Sequence, residues 1–321
     1  FKMHIASGEL MNLIENAKTV LTTIGLAGFL IVFCLSSAHS QSQFEVTIQQ
    51  FSGDEVKGYV QPLGDMFGAN MNAGLYHSAA IPNDGFHLRI DIIGMVSLVR
   101  DEHRTYDTML PSGFVPQGGS LKTATVFGGR GTTFKDVNSG LEYKGSDGIL
   151  STNFFPLLVP QVTIGTLFGT EASVRYISTP FLSGEKFPNS TLWGVGVRHS
   201  LSQYFGRRVP IDACVGAFYS SFAIGDLLNF NGTAINLQLS KTVLLFTFYG
   251  GIAYENSSMN LHYTYKASEA TTPKLVELAL DGGNNFRFTT GLEIDLQAIK
   301  LYADANFGYV QHFSGGIGFG F

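Results

Sequence analysis

The last nine residues read Phe313-Ser-Gly-Gly-Ile-Gly-Phe-Gly-Phe321, and this stretch decides more about the fold than any other. Successive side chains of a β-strand point to opposite faces. A strand here would therefore place Phe313, Ile317, Phe319 and Phe321 on one face. The chain ends, by this pattern, in a strand with one apolar, aromatic face.

The same period of two recurs upstream and is clearest from Phe286 to Gln297. There, apolar side chains such as Phe288 and Leu292 alternate with polar ones such as Glu293. Shorter alternating runs begin near Phe86, Glu171, Ile235 and Met259. An all-β fold built largely of half-apolar strands follows from this repetition.

Alternation alone does not separate a soluble sandwich with one wet face from a membrane barrel, since both show apolar and polar positions in turn. Strand length favours the barrel, because several alternating runs extend over 9 to 14 residues, longer than most soluble strands and suited to a tilted bilayer crossing. We therefore predict a transmembrane antiparallel β-barrel over residues 85–321.

Counting strands backwards from Phe321 predicts 12, an even number, with short turns on one side of the membrane. The count becomes 14 if Ala124 to Gly128 and a neighbouring stretch also cross. In either case residues 100–160 form one long outer segment. A loop of this length is usually functional or folded into the lumen.

Residues 1–40 are expected to be a leader and a cleaved signal peptide. A polar stretch that begins at Met11 and contains Lys18 runs into an apolar block, and Ala38 and Ser40 stand at the positions that a signal peptidase reads. A retained membrane anchor is the alternative, since the apolar block is close to the shortest length that spans a bilayer.

Charge and cysteine content narrow the function further. Residues 1–40 contain two basic and two acidic residues, so the net charge is −5 with or without them, and it gives no indication of nucleic-acid binding. Only Cys214 would remain after cleavage, so an intramolecular disulfide is excluded. Beyond the signal peptide no run of 18 apolar residues follows, which argues against a helical inner-membrane protein.

Residues 41–84 lack the alternation and are predicted to form a helical segment that sits inside the barrel. Asp54 and Glu55 suit a helix start, and Pro62 is expected to break the segment into one or two short helices. The small residues that follow suit close packing inside another structure. The candidate residues of this hatch-like segment are Asn70, Asn72, Tyr76 and His77.

The terminal strand resembles that of outer-membrane barrels, in which the final aromatic residue is read by the assembly machinery. Together with Pro62-Leu-Gly and Asn72-Ala-Gly-Leu-Tyr-His-Ser-Ala, the Gly/Phe-rich last strands resemble a family of uncharacterised barrels that is distantly similar to the FadL/TodX long-chain fatty-acid and hydrocarbon transporters. The resemblance implies an outer-membrane location, lipid and assembly-machinery partners, an N-terminal hatch and a hydrophobic ligand. The Asn-Pro-Ala motif of that hatch is absent, and Asn72-Ala-Gly is its nearest counterpart.

Charged residues on the polar faces of the strands are expected to point into the lumen. A charged ladder in a lumen is usually a structural network, and the six histidines after residue 40 show none of the paired spacings of metal sites. We therefore predict no catalytic residue, no metal and no cofactor, and a protein that is not an enzyme. The expected lumen-facing residues are Arg89, Asp91, Arg175, Arg287, Glu293, Asp295 and Asp304.

Two functions remain open from the sequence. Passive transport of a hydrophobic or small substrate predicts an apolar pocket between residues 41–80 and the wall. A structural barrel that serves as a scaffold for other envelope or secretion proteins predicts a lumen filled by side chains.

Overall fold

The structure, a computed structural model, describes residues 47–48, 54–83, 85–165, 167–178, 190–205, 210–265 and 274–320. The predicted signal peptide in residues 1–40 and the terminal Phe321 lie outside these residues, so the structure does not bear on either prediction.

Ten strands form a closed antiparallel barrel, in which β1 pairs with β15 and β10 pairs with β11 to complete the circle. The all-β fold and the antiparallel barrel predicted from the alternation are therefore confirmed. The wall consists of β1 (His87–Leu98), β6 (Phe154–Gly165), β7 (Thr170–Ser178), β8 (Ser190–Ser200), β9 (Asp212–Ile224), β10 (Leu228–Val243), β11 (Phe246–Tyr265), β13 (Phe286–Leu296), β14 (Ile299–Phe307) and β15 (His312–Gly320).

The wall is apolar on its outer face, whereas its inner face carries charged and polar side chains together with a buried apolar cluster that includes Met95, Leu157 and Phe230. On β7, Val174 and Tyr176 are exposed, whereas Glu171, Ser173 and Arg175 are buried in the lumen. The other wall strands repeat this arrangement, with Val195, Leu237, Ile252 and Phe288 exposed outside. An outward apolar band around a polar interior is the pattern of barrels that cross a membrane.

The expected count of 12 to 14 strands is wrong. Two pairs of predicted strands each cross the membrane-facing wall only once, so each pair counts as one strand of the barrel. β11 runs for 20 residues through Glu255 to Ser258, a polar stretch that the sequence suggested was a loop. β12 (Lys274–Asp281) and β13 run in the same direction along β11, one after the other, with a break at residues 282–285. A polar stretch does not end a strand here, because the lumen supplies it with hydrogen-bond partners.

The long segment between β1 and β6 covers residues 99–153 rather than 100–160, since β6 already begins at Phe154. Pro156 and Pro160 lie in the part of β6 that pairs with β1 alone, because β7 joins only from Gln161 onward. Proline is tolerated on such an edge, where its missing N–H breaks no ladder bond.

Residues 99–153, which we call the outer segment, fold into two small two-stranded sheets instead of crossing the wall, so the 14-strand alternative is wrong as well. These sheets pair β2 (Thr105–Asp107) with β3 (Lys122–Ala124) and β4 (Thr133–Lys135) with β5 (Glu142–Lys144).

The barrel has two unlike rims. The short-turn rim carries the tight connections at Phe168, Leu244 and Gln297, all three of which have positive φ angles. The turn between β10 and β11 lies at Leu244 and Leu245. The opposite, long-loop rim carries the outer segment.

A helix, α1 (Asp54–Met71), lies inside the barrel and passes straight through Pro62, so the predicted break is wrong. A proline inside a helix costs about 3 kcal/mol. Here the helix contacts β1, β6, β10, β11 and β12, and every residue from Pro62 to Met71 is buried. Packing from several sides therefore outweighs the local preference. None of the described helices has both the length and the apolar character that a membrane-crossing helix needs.

Candidate functional site

Residues 54–83, which we call the plug, cross the lumen once. The plug begins with α1 near the long-loop rim and continues as a coil, residues 72–83, towards the short-turn rim. At that end the Asn83 carbonyl accepts a hydrogen bond from the backbone N–H of Phe168. The plug and the wall around it make up the candidate site.

The helical half of the plug packs by apolar contact. The ring of Phe67 lies 4.3 Å from that of Phe230 and 4.7 Å from that of Phe222, measured between centroids, and Phe155 flanks it at 5.8 Å. Gly68 lies against Ser257 so closely that a Cβ at this position would overlap the Ser257 side chain. The expected apolar pocket between this segment and the wall is, at α1, an interlocked core.

Two arginines on opposite sides of the barrel bind the backbone where the helix ends. Arg175 on β7 donates to the carbonyls of Met71, Ala73 and Gly74, at 3.4 and 3.0 Å for the first two. Arg287 on β13 donates to the carbonyl of Asn72 at 2.6 Å. The last carbonyls of a helix lack partners within it and carry partial negative charge, so guanidinium groups are well suited to bind them.

A third contact joins the coil to the wall nearer the short-turn rim. His77 Nδ1 bonds to the carboxylate of Glu293, and its ring stacks on Tyr302 with centroids 4.2 Å apart. His77 Nε2 lies 3.7 Å from Asp91 Oδ1. Lys300 Nζ lies 3.3 Å from the other oxygen of Glu293 and so continues this polar chain outwards.

Arg198 forms a fourth contact, which the sequence analysis missed. It bonds to the carboxylate of Glu171 and donates to the carbonyl of Ser78 at 2.7 Å and to Gln238 Oε1 at 2.8 Å. His87 Nε2 lies 3.3 Å from the same Glu171. Arg198 lies on the polar face of the alternating strand β8, and this alternation could have predicted that its side chain faces the lumen.

The four candidate hatch residues, Asn70, Asn72, Tyr76 and His77, all lie in the plug and contact the wall. Asn70 accepts from Ser97 Oγ at 2.8 Å and donates to the Phe155 carbonyl at 2.8 Å. The ring of Tyr76 meets that of Tyr249 edge-on, with centroids 6.0 Å apart. The contacts of Asn72 and His77 are those described above.

The seven charged residues expected in the lumen lie on the inner face of the wall, where they belong to several separate polar groups. Arg287 pairs with Glu255 at 2.9 Å rather than with Glu293. Asp304 accepts from Tyr249, Asn306 and Ser314, and takes no part in the Glu293 cluster. Arg89 binds Asp91 at 2.9 Å, and Asp295 binds Lys300 at 2.9 Å.

A cavity of about 960 Å³ opens at the short-turn rim, and we call it the vestibule. His77 and Glu293 line its inner end, so it reaches the coil of the plug. Its other charged lining residues include Arg89, Glu171 and Lys300. Such a cavity suits a polar occupant better than a hydrocarbon.

The outer segment covers the other end of the plug. The carboxylate of Glu55, at the start of α1, accepts from Thr108 Oγ1 at 3.1 Å and from the Tyr143 hydroxyl at 2.6 Å. Tyr59 donates to the Asp147 carbonyl at 2.9 Å. Plug and outer segment are thus bonded to each other.

The titratable groups of the outer segment respond to burial. Burial raises the pKa of Tyr106 to about 12. It also raises the pKa of Tyr143, and the hydrogen bond to Glu55 adds to the effect. Burial lowers the pKa of His103, whose Nδ1 accepts from the backbone N–H of Arg100 at 3.0 Å. His103 is therefore held as a neutral hydrogen-bond acceptor.

Across the part of the chain that the structure describes, no three His, Cys, Asp or Glu side chains are grouped so that they could hold a metal ion.

Several solved barrels resemble this chain at low similarity. The translocator domain of the autotransporter NalP from Neisseria meningitidis has 13% identity and a TM-score of 0.32, with 83% of this chain and 99% of that one covered. A Pseudomonas aeruginosa FadL homologue has 9% identity, a TM-score of 0.16 and coverages of 84% and 98%. The monoaromatic hydrocarbon channel TodX has 8% identity and a TM-score of 0.21, and the match covers 74% of this chain and 90% of that one.

Likenesses this distant carry no argument about function, and the barrel rests on the strand pairing described above. None of the curated proteins compared with the chain matches it. A family model does match, over residues 17–321, and its description is a family of unknown function, DUF6588. Since this match covers nearly the whole sequence, the chain belongs to the DUF6588 family.

Proposed function

We propose that this protein is a barrel of the Gram-negative outer membrane that passes a small substrate when the coil of its plug is displaced. The wall supports the membrane location, because its outward face is apolar around the circle while its lumen is polar. Lipid is then the partner of the outer face. The short turns face the periplasm and the outer segment faces the exterior, as is usual for such barrels.

One observation carries the transport proposal: polar contacts hold the coil in place, and the far end of the coil, from His77 to Asn83, lines the vestibule. Arg175, Arg287, Arg198 and His77 make hydrogen bonds that water or a substrate can replace. Hydrogen bonds exchanged for bonds to water cost little net free energy. The coil is therefore the part of the plug that can most readily move.

The lining of the vestibule favours a small polar substrate over a hydrophobic one. Charged side chains at its inner end would have to lose their solvation or their ion-pair partners to admit a hydrocarbon. An apolar route along α1 would have to separate Phe67 from Phe222 and Phe230. Opening the passage further, past α1, requires the helix to shift as well.

Ion conductance across a planar lipid bilayer tests the proposal. We expect the wild type to be closed most of the time and the variant Arg175→Ala/His77→Ala to open more often, because it loses contacts on two sides of the coil. Arg130→Ala, in the exposed part of the outer segment, is the matched control and should behave as wild type. A folded double variant that conducts no more than wild type would count against transport.

A sealed scaffold is the second candidate function. The plug spans the lumen from rim to rim, and α1 is fixed in it by interlocked aromatic rings. A barrel that never opens would serve to anchor the outer segment for other envelope or secretion proteins. Absence of conductance in both the wild type and the double variant would favour this role.

We further propose that the barrel-assembly machinery recognises the last strand through Phe321, and that neither candidate function involves an enzymatic step or a cofactor. The described part of β15 supports the first point, since Phe313 and Phe319 are both exposed on the outer face.

A further inference from the structure

The direction in which the plug runs through the lumen has a consequence for the topology of the chain. Glu55 and Tyr59, in the first two turns of α1, bond to Thr108, Tyr143 and Asp147 of the outer segment. The other end of the plug is bonded to the short-turn rim, where the Asn83 carbonyl accepts from Phe168 N–H. The amino-terminal end of α1 and the start of β1 therefore lie on opposite faces of the barrel.

We propose that this barrel carries the amino-terminal end of its own lumen helix across the outer membrane and holds it at the outer face. The inference uses the membrane orientation of the proposed function but not its transport step. It gives the barrel a second role, as the anchor of an outward-facing amino-terminal end. A hatch that entered from the periplasm would run in the opposite direction.

Three contacts show that the helix is fixed at this depth and in this direction. Gly58 packs against the Tyr106 ring, and Gly68 packs against Ser257, in each case without room for a Cβ. The backbone N–H of Val126 donates to the Tyr59 carbonyl at 3.0 Å, which ties the helix to the outer segment a second time. Because packed interiors resist displacement, this close fit fixes the depth and the direction of α1 in the closed barrel.

The close fit between α1 and the wall also indicates at which stage of barrel assembly the helix enters the lumen. An N-terminal segment that passed through a finished barrel would have to move past the arginines and the aromatic rings that now grip the plug. The β1–β15 pair joins the first and last wall strands, so this seam is where the wall can close around α1. We infer that the helix takes its place before or during this closure.

Cysteine accessibility on intact cells tests the topology. In a Cys34→Ala/Cys214→Ser background, Lys57→Cys places a thiol on an exposed position in the first turn of α1. Leu141→Cys marks the outer segment and Leu244→Cys marks the short-turn rim, since both side chains are well exposed. Each variant is treated with a membrane-impermeant maleimide before and after the outer membrane is permeabilised.

We expect Lys57→Cys and Leu141→Cys to react on intact cells, and Leu244→Cys to react only after permeabilisation. Reaction of Lys57→Cys together with Leu244→Cys, only after permeabilisation, would overturn the proposal. The reverse pattern for all three would show an inverted barrel and overturn it too.

An epitope inserted directly before Asp54 gives a second readout if the Lys57→Cys thiol does not react under either condition. Antibody binding to intact cells supports the proposal, and binding only after permeabilisation contradicts it. Both assays are independent of conductance, so a barrel that never conducts can still hold its amino-terminal end outside.

Discussion

Arginine is the residue on which the closed state depends most. The guanidinium of Arg175 donates to three backbone carbonyls of the plug and also to Gln161 Oε1 at 2.7 Å. Its planar fork of five donors permits this, whereas a lysine ammonium offers one point of contact. From the opposite wall Arg287 donates to the carbonyl of Asn72, with Glu255 as its counter-ion. The coil is thus held from opposite sides by two fixed charges, in addition to the ring contacts of Tyr76 and His77.

Replacement of Arg175 by alanine should loosen the coil without unfolding the wall. The carbonyls of Ala73 and Gly74 would lose their donor in a buried site, so we expect a loss of roughly 2 to 3 kcal/mol of stability and faster amide exchange in residues 72–78. Hydrogen–deuterium exchange with mass spectrometry measures this. Arg175→Lys should recover part of the protection, and unchanged exchange in Arg175→Ala would show that the arginine does not hold the coil.

In the outer segment, the carboxylate of Asp136 holds a turn of the backbone by accepting several hydrogen bonds. Asp136 accepts from the Ser139 hydroxyl at 2.6 Å and from the backbone N–H groups of Val115 and Ser139 at 2.7 Å each. The Ser139 hydroxyl, followed by these backbone donors, lowers the pKa of Asp136 below its ordinary value of 3.8.

A lowered pKa means that the turn around Asp136 is stabilised by the ionised form. The stabilisation is complete above the ordinary value of 3.8 and is lost as the pH falls through the lower, folded-state pKa. We expect the protection of the Val115 and Ser139 amides, corrected for intrinsic exchange, to fall as the pH drops below the ordinary value of 3.8 and through the lower, folded-state pKa. Asp136→Asn should remove the pH dependence, and a persistent dependence in that variant would assign it to another group.

At the scale of elements, the helix and the wall fit each other through small residues. Gly68 allows α1 to approach β11 at Ser257, and Gly282, next to the break between β12 and β13, is also close to Ser257. Larger side chains at these points would separate the helix from the wall. Gly68 is thus explained by its distance to the wall.

The Gly68→Ala variant should therefore be destabilised, by about 1 to 3 kcal/mol, through overpacking against Ser257. Chemical unfolding of the detergent-solubilised barrel measures the change. The double variant Gly68→Ala/Ser257→Gly removes the obstructing side chain and should recover much of the loss. If the second substitution restores nothing, the close approach of α1 to β11 is not the cause.

Strand β11 shows how an element can be misjudged from local sequence. Glu255-Asn-Ser-Ser258 has the composition of a loop, yet in the barrel Glu255 binds Arg287, and Ser257 lies against the helix. Polar residues belong inside this wall, so a polar stretch does not signal its end. Residues 275–280 likewise look like a separate strand, because the polar residues 282–285 after them resemble a loop although β13 continues in the same direction.

At the scale of the whole molecule, the inverted polarity requires a membrane. In water the exposed apolar band would aggregate, while in a bilayer it is solvated by lipid and the backbone is satisfied by the closed sheet. The charged lumen is then shielded from lipid by the wall.

Two matched substitutions, each of an exposed aliphatic residue by arginine, distinguish a membrane barrel from a soluble one. Ile252, midway along the wall, is 60% exposed, and Leu244, at the tip of a short turn, is 91% exposed. In a bilayer Ile252→Arg should cost about 2 to 4 kcal/mol and Leu244→Arg close to nothing. Unfolding by denaturant in lipid vesicles measures both. Equal, small effects would mean that the band at Ile252 does not face hydrocarbon.

The sequence by itself determined the features that depend on neighbours along the chain. The period of two placed Glu293 and Arg175 on a polar face, and the loss of that period before residue 85 separated the plug from the wall. Both are local, since side-chain direction in a strand alternates wherever the strand pairs.

Only the tertiary structure decided the number of strands, the path of the plug and the partner of each buried charge. The pairing of Arg287 with Glu255, of His77 with Glu293 and of Arg198 with Glu171 joins residues far apart in sequence. Likewise, α1 continues through Pro62 because the surrounding strands hold it. Such contacts exist only once the wall has closed, so no local pattern in the chain encodes them.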